Sequence, residues 1–223
     1  MSRASAAAAV AAFAALAVLV AHGTLTRIDQ WSVDHLMPGA AFSGKPTLAD
    51  AVVPLLGAQW HPALHAVSEI VTVPASFTPA LVIVAAAGAR LRGRAAAALG
   101  LAFVAGNVAE IVVKSTLTRP ALYAHGVRLT GFASSFPSGH TIRTILVALA
   151  LAWAWPRSRW WALAWSAASI AFLVLGGHHV PSDIAGGLLL GGALVATTWS
   201  SWRAAATTGR RPSPACRPSS RER

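Results

Sequence analysis

Long apolar blocks alternate with short polar segments along most of this chain. Six blocks have the length and composition of helices, at residues 4–22, 66–89, 95–113, 140–155, 160–177 and 184–202. About 20 apolar residues span the hydrocarbon core of a bilayer. The pattern therefore predicts an all-α fold, a bundle of six transmembrane helices in which residues 1–203 form one membrane domain. Pro74 and Pro79 predict kinks in the second helix.

Three segments depart from this pattern. The first block follows Arg3, so a secretory signal peptide is the alternative to a retained helix, but spanning length and the lack of a convincing cleavage site favour the helix. Residues 23–65 are mixed in polarity, and the apolar stretch 49–57 within them is too short to span, which favours a surface or re-entrant helix. Residues 204–223 are rich in Arg, Pro and Ser and predict a disordered basic cytoplasmic tail.

The net charge is +11, and the basic residues that produce it lie mainly at the ends of the apolar blocks and in the tail. Six spans put both termini on one side, and twelve of the 18 Lys and Arg residues fall on that side. The positive-inside rule then predicts a multi-pass plasma-membrane protein with cytoplasmic termini. No stripe of basic and aromatic residues indicates nucleic-acid binding, so membrane lipids are the predicted partners. With Cys216 as the single cysteine, an intrachain disulfide is excluded.

Two polar clusters stand immediately before the fourth and sixth predicted helices. The first is Phe136-Pro137-Ser138-Gly139-His140-Thr141, and the second is His178-His179-Val180-Pro181-Ser182-Asp183. Ionisable side chains are costly at membrane depth, so their presence at helix ends indicates function. The predicted orientation places both clusters on the outer face, together with Lys114 and Arg119 at the end of the third helix.

These residue types are suited to phosphate chemistry. A helix N-terminus preceded by serine and glycine offers backbone N–H groups to an anion, and Lys114 and Arg119 supply positive charge. One histidine can attack phosphorus while another protonates the leaving oxygen. Because His179 and Asp183 are four residues apart, the carboxylate can hold the imidazole in one tautomer.

The two clusters resemble motifs of the type-2 phosphatidic-acid phosphatase superfamily, which is related to vanadium haloperoxidases. The resemblance covers roughly residues 29–200 and is most specific in Ser-x-Phe-Pro-Ser-Gly-His-Thr at 134–141 and in His179-x-x-x-Asp183. It implies a six-helix membrane fold and an activity, independent of metals and cofactors, that dephosphorylates lipid phosphates or diphosphates. The candidate substrates are phosphatidic acid, phosphatidylglycerol phosphate and polyprenyl diphosphate.

The resemblance also implies a role for each residue of the site. His179 is the expected nucleophile that becomes phosphohistidine, Asp183 orients it, and His140 is the general acid. The residues expected to hold phosphate are Ser138, the amide of Gly139, and Lys114.

The basic residues depart from the family pattern in two places. The first family motif has Lys, six residues, then Arg-Pro, but Ala121 stands at that position and the only Arg-Pro begins at Arg119. The third motif has Ser-Arg six to seven residues before its histidine, where this chain has Phe-Leu at 172–173. We expect Arg119 to replace the first arginine. Arg143, about one helical turn from His140, is the expected replacement for the second.

Other interpretations of the same residues remain open. Glu110 and Lys114 are interpreted as a packing pair, with positioning of Lys114 or lining of the substrate path as the alternative. A zinc site of the motif histidines and Asp183 is disfavoured because His178 and His179 are adjacent. The functional alternatives are a lipid-linked phosphotransferase and a non-catalytic lipid-phosphate-binding protein. The sequence pattern does not specify an oligomeric state.

Overall fold

The computed structural model of the protein describes residues 3–37, 60–124 and 126–208. These residues form eight α-helices and one short antiparallel hairpin, in which Tyr123 pairs with Arg128 and Ala124 with Val127. The helices are α1 (Arg3–Ala21), α2 (Thr26–His35), α3 (Trp60–Thr72), α4 (Phe77–Leu91), α5 (Gly93–Thr116), α6 (Gly139–Ala154), α7 (Arg159–Leu175) and α8 (Pro181–Thr208). The strands are β1 (Tyr123–Ala124) and β2 (Val127–Arg128).

The predicted all-α class is confirmed, and most helices stand where the apolar pattern places them. Helices α1, α5, α6 and α7 match their predicted positions to within three residues at either end. Helix α8 begins at Pro181 and continues to Thr208, so the first five residues assigned to the basic tail are helical. The predicted surface helix at 49–57 and residues 209–223 lie outside the described residues.

The second predicted helix is divided into two. A 3₁₀ turn at Val73–Ala75 separates α3 from α4, and their axes differ by 42°. Pro74 lies in this turn, and the extended Ser76 separates the turn from α4. Pro79, which also predicted a kink, lies in the first turn of α4, where a proline breaks no intrahelical hydrogen bond.

Helix α2 forms in a stretch that the sequence pattern predicts only as mixed in polarity. Its hydrophobic face is short, but Val33 and the following Met37 are fully buried. They pack with Leu122 and Phe132 from the loop after α5 and with Val180 of the second polar cluster. Tertiary packing from distant residues therefore stabilises a helix that local propensity does not indicate.

Three helices in the described part of the chain are long and apolar enough to cross a membrane. They are Ala4–Ala21, Gly93–Thr116 and Pro156–Leu175, and the bent pair α3–α4 makes a fourth if it forms one span. Helix α6 is apolar but has only 16 residues. Several long apolar helices are thus compatible with a membrane protein, while six complete spans remain a prediction.

The main hydrophobic core lies between α4, α5 and α6. Its largest fully buried members include Leu99 of α5 and Ile142, Leu146 and Val147 of α6. Since lipid is as apolar as these side chains, close packing rather than escape from water holds such helices together within a bilayer.

Glycines allow α8 to approach the beginning of α6. A Cβ atom at Gly187 would lie 2.6 Å from Cβ of Thr141 and 2.8 Å from the carbonyl oxygen of Ser138. A Cβ atom at Gly186 would lie 2.5 Å from the ring of Phe136. Any side chain at these positions would push the helices apart, so the glycines bring together the first turns of α6 and α8, which carry the two polar clusters.

Candidate active site

The second polar cluster is placed by the turn between α7 and α8. The backbone N–H groups of His178 and His179 each donate to the carbonyl oxygen of Leu173 at 3.0 Å. Pro181 then begins α8, where its fixed φ suits the first turn. Nδ1 of His179 lies 3.3 Å from Oδ2 of the fully buried Asp183. If Nδ1–H donates to this carboxylate, Nε2 retains a free lone pair.

The first polar cluster contacts the second directly. Ser138 caps α6, because its Oγ accepts the N–H of Thr141 at 3.2 Å. The N–H of Ser138 donates to the carbonyl oxygen of Asp183 at 3.0 Å, which ties the start of α6 to the first turn of α8. The rings of His140 and His179 have centroids 6.2 Å apart and are tilted by 54°. A group held between them would have a histidine on two sides.

Arg119 is buried between two carboxylates next to the His179–Asp183 pair. Its Nη1 donates to Oδ1 of Asp183 at 2.8 Å. Its Nη2 donates to Oδ2 of Asp29 and to Oγ of Ser182, the latter at 3.1 Å. Asp183 therefore contacts the histidine through one carboxyl oxygen and Arg119 through the other. We call Arg119, Asp29, Asp183 and Ser182 the Arg119 cluster.

Asp29 of α2 is a member of this cluster that sequence reasoning missed. It is fully buried and accepts both the N–H of Ser182, at 3.0 Å, and its Oγ–H, at 2.7 Å. Burial raises the pKa of the Asp29 carboxyl above its usual range, although Arg119 and the hydrogen bonds from Ser182 act in the opposite direction. The only signal in the sequence is an acidic residue in a segment without a motif, and this residue is 153 residues from Ser182.

Lys114 and Arg143 share a single carboxylate. Nζ of Lys114 donates to Oε1 of Glu110 at 2.7 Å, and Nη1 of Arg143 donates to Oε2 at 2.7 Å. Arg143 also donates to Oδ1 of Asn107 at 2.9 Å and to the carbonyl oxygen of Ala75 at 2.7 Å. We call Arg143, Lys114, Glu110 and Asn107 the Arg143 cluster.

Gly139 connects this cluster to the histidines. The carboxyl group of Glu110 lies so close to Gly139 that a Cβ atom at position 139 would overlap with it. The predicted pair of Glu110 and Lys114 therefore forms, and it lies at the first turn of α6 beside His140. Contacts among neighbouring groups now join all eight predicted residues of the site: His179, His140, Asp183, Lys114, Arg119, Ser138, Gly139 and Arg143.

The sequence profile of the PAP2 superfamily matches residues 93–206, from the first residue of α5 into the last turn of α8. This segment is just over half of the 223 residues. The chain belongs to the PAP2 superfamily. Searches of curated proteins and of solved structures gave no match to it.

PAP2 proteins are generally phosphatases, so membership indicates activity on phosphate esters. The matched segment contains all eight predicted residues of the site, whereas α1 to α4 precede it. Asp29 therefore reaches the site from a part of the chain that the PAP2 profile does not match.

The two departures from the PAP2 arginine pattern can be located in the structure. Ala121 is half-buried, and Leu173 is buried. Because neither side chain is charged, neither position supplies a cation. Arg119 directs two donors at carboxylates, one of which, that of Asp183, lies beside Nδ1 of His179. Arg143 directs a donor at the carboxylate beside Gly139. Binding of phosphate by either arginine remains a prediction.

The side chain of His178 lies against α3. Its Nε2 lies 3.2 Å from Oγ of Ser68 and 3.3 Å from Oε1 of Glu69. A cavity of about 440 Å³ opens beside it, bounded by residues 128–132, Gly177 and His178. Among residues 3–37, 60–124 and 126–208, no three His, Cys, Asp or Glu side chains are arranged to hold a metal ion.

Proposed function

We propose that this protein is an integral membrane phosphatase that hydrolyses a lipid phosphate or diphosphate through a phosphohistidine intermediate. The observation that carries the proposal is the pairing of His179 with Asp183, opposite His140, in a PAP2 chain that is rich in long apolar helices. A general acid facing a carboxylate-oriented imidazole is the arrangement that a two-step displacement at phosphorus requires.

In the first step, Nε2 of His179 attacks phosphorus while the bond to the leaving oxygen breaks. Asp183 accepts the hydrogen bond from Nδ1–H and stabilises the positive charge that develops on the imidazole. Protonated His140 donates its proton to the leaving alkoxide or phosphate. In the second step, water attacks phosphorus, the bond between phosphorus and Nε2 of His179 breaks, and His140 takes a proton from this water. Phosphate then leaves, and His179 returns to its starting form.

Phosphate binding is assigned to the first turn of α6 and to the basic residues around it. The dipole and the free N–H groups of a helix N-terminus stabilise an anion, and here they lie beside His140. Lys114 and Arg143 approach the same turn through Glu110. Ser138 is fully buried as the cap of α6, so its role is to hold this turn in place and to line the phosphate position.

The distribution of charge supports an outer-face site. The described site lies at the C-terminal end of α5 and the N-terminal ends of α6 and α8, hence at one end of these helices. The excess of Lys and Arg on the opposite side favours cytoplasmic termini in the plasma membrane. A lipid in the outer leaflet would present its head group to this end. Phosphatidic acid, phosphatidylglycerol phosphate and polyprenyl diphosphate are the substrates to test.

The experiment is phosphate release from these lipids by the purified protein in detergent with EDTA. We expect release in EDTA, an acid-labile ³²P label on the enzyme, and loss of both in His179→Ala. His22→Ala is the matched control, because His22 is exposed and outside the site. Release by His179→Ala at the wild-type rate would exclude the proposed nucleophile. Loss of wild-type release in EDTA would exclude metal-independent chemistry.

The same assay checks the role of His140 through the leaving group. In His140→Ala we expect release from a lipid phosphate to fall about 10²- to 10⁴-fold, the usual contribution of a general acid. Release from an aryl phosphate should fall much less, because a phenolate leaves without a proton. Equal losses for both substrates would contradict this role.

A further inference from the structure

Glu110 is a buried acidic residue beside a site that must bind an anion. Its side chain is 11% exposed, and its two carboxyl oxygens accept from Nζ of Lys114 and Nη1 of Arg143 at 2.7 Å each. The same carboxyl group lies against Gly139, the first residue of α6. Three features that attract a phosphate group therefore converge on this carboxylate: an ammonium group, a guanidinium group and a helix N-terminus.

While Glu110 is in place, the Arg143 cluster offers a second anion only part of its positive charge. Lys114 and Arg143 carry two positive charges, and Glu110 cancels one of them. On the other side of the histidine pair, Arg119 contacts two carboxylates and has no positive charge to spare. A phosphate group that approaches His140 would meet the Glu110 carboxylate where its own oxygens should lie.

We propose that Glu110 is a specificity-determining residue, an internal anion that occupies the phosphate position and competes with the phosphate group of the substrate. This inference rests on the proposed function of the site. Binding then requires the carboxylate to leave Gly139, and it leaves Lys114 and Arg143 free to hold phosphate oxygens. The competition weakens the binding of phosphate itself, and it thereby favours lipid phosphates whose apolar chains contribute separate binding energy.

The probe is inorganic phosphate, measured as an inhibitor of lipid-phosphate release by the full chain in detergent. Glu110→Gln keeps the shape of the side chain but removes its charge, so we expect the inhibition constant of phosphate to fall by about tenfold or more. If Glu110 served only to hold Lys114 and Arg143 in place, its replacement would loosen both cations and weaken inhibition. The direction of the change therefore distinguishes the two roles.

Two further variants keep the test decisive. Asp34→Asn removes the same charge from half-buried Asp34 of α2, outside both clusters, and should leave the inhibition constant unchanged. Glu110→Asp keeps the charge but shortens the side chain by one methylene, so its carboxylate is withdrawn from Gly139, and phosphate should again inhibit more strongly than in wild type. If Glu110→Gln does not fold, Glu110→Asp takes its place in the test.

Lipid hydrolysis tests the proposed function, and phosphate affinity tests the role of Glu110. If no lipid phosphate is hydrolysed, the proposed function is wrong, and phosphate affinity is then measured directly by titration calorimetry on the same variants. An affinity that is unchanged or weaker in both Glu110→Gln and Glu110→Asp would overturn the competing role of Glu110, whether or not the protein is an active phosphatase.

Discussion

Arg119 and Arg143, the two buried arginines among the residues that the structure describes, have similar exposure but opposite electrostatic surroundings. Arg119 is 7% exposed and contacts two carboxylates, those of Asp29 and Asp183. Arg143 is 8% exposed and contacts one carboxylate, which it shares with Lys114. The Arg119 cluster thus has more acidic than basic groups, and the Arg143 cluster has more basic than acidic groups.

This difference separates two uses of a buried guanidinium. In the Arg119 cluster the arginine compensates carboxylates that would otherwise be buried without a cation, and it positions the partner of His179. In the Arg143 cluster the remaining positive charge is directed toward the first turn of α6, where a phosphate group is proposed to bind. Arg119 is therefore expected to affect stability most, and Arg143 to affect substrate binding.

The largest expected effect comes from Arg119→Met. This change leaves Asp29 and Asp183 buried beside each other without a cation, and we expect it to lower the free energy of unfolding by about 3–5 kcal/mol. The measurement is denaturant unfolding in detergent, followed by tryptophan fluorescence. Adding Asp29→Asn should restore part of the loss, because it removes one of the unpaired carboxylates.

The matched control for this change is Arg128→Met, since Arg128 is exposed on β2. It should alter the free energy of unfolding by no more than about 0.5 kcal/mol. A similar loss in both variants would show that Arg119 has no special role in compensating the carboxylates.

Arg143→Met should have a smaller effect on stability and a larger one on substrate binding. Glu110 keeps its bond to Lys114, but Asn107 and the carbonyl oxygen of Ala75 lose a donor, so we expect a loss of about 1–3 kcal/mol. The KM for a lipid phosphate should rise about tenfold, as for the loss of one charged contact. A stability loss as large as that of Arg119→Met, with KM unchanged, would remove the distinction between the clusters.

The smallest expected effect is that of Gly187→Ala, at the contact that holds the two clusters together. Helix α8 carries Asp183, α6 carries Arg143, and a methyl group at Gly187 would collide with the backbone of Ser138. We expect the free energy of unfolding to be about 1–2 kcal/mol lower than that of Gly192→Ala, and turnover to fall.

Gly192→Ala is the control for this change, because a Cβ atom at Gly192 meets nothing within 4 Å. Both variants gain the same helix propensity, up to about 1 kcal/mol, so their difference reports the collision alone. Equal stabilities would mean that the approach of α6 and α8 tolerates a side chain at Gly187.

Much of the site could be predicted because its chemistry is local in the sequence. His179 and Asp183 are four residues apart at the start of one helix, and Glu110 and Lys114 have the same spacing on another. Such pairs form wherever the helix forms, since residues four apart lie on the same face. The cap of α6 by Ser138 is equally local.

The contacts that the sequence did not reveal all join distant segments. Asp29 and Arg119 are 90 residues apart, and Arg143 and Glu110 are 33 residues apart. Arg119 and Arg143 were expected to replace missing arginines, but no pattern indicated that both would contact carboxylates. The break at Val73–Ala75 could be anticipated from Pro74, whereas α2 depends on packing that involves residues near 122, 132 and 180.

The amino-acid sequence was therefore sufficient for the helical class, the positions of most helices, and the pairing of His179 with Asp183. These follow from apolar block length and from short-range spacing, which a helix converts directly into geometry. The folded chain was needed to show which charges neutralise which, because burial forces each charged group to find a partner wherever the packing of helices provides one. That requirement links Asp29 to Arg119 and brings Glu110 against Gly139.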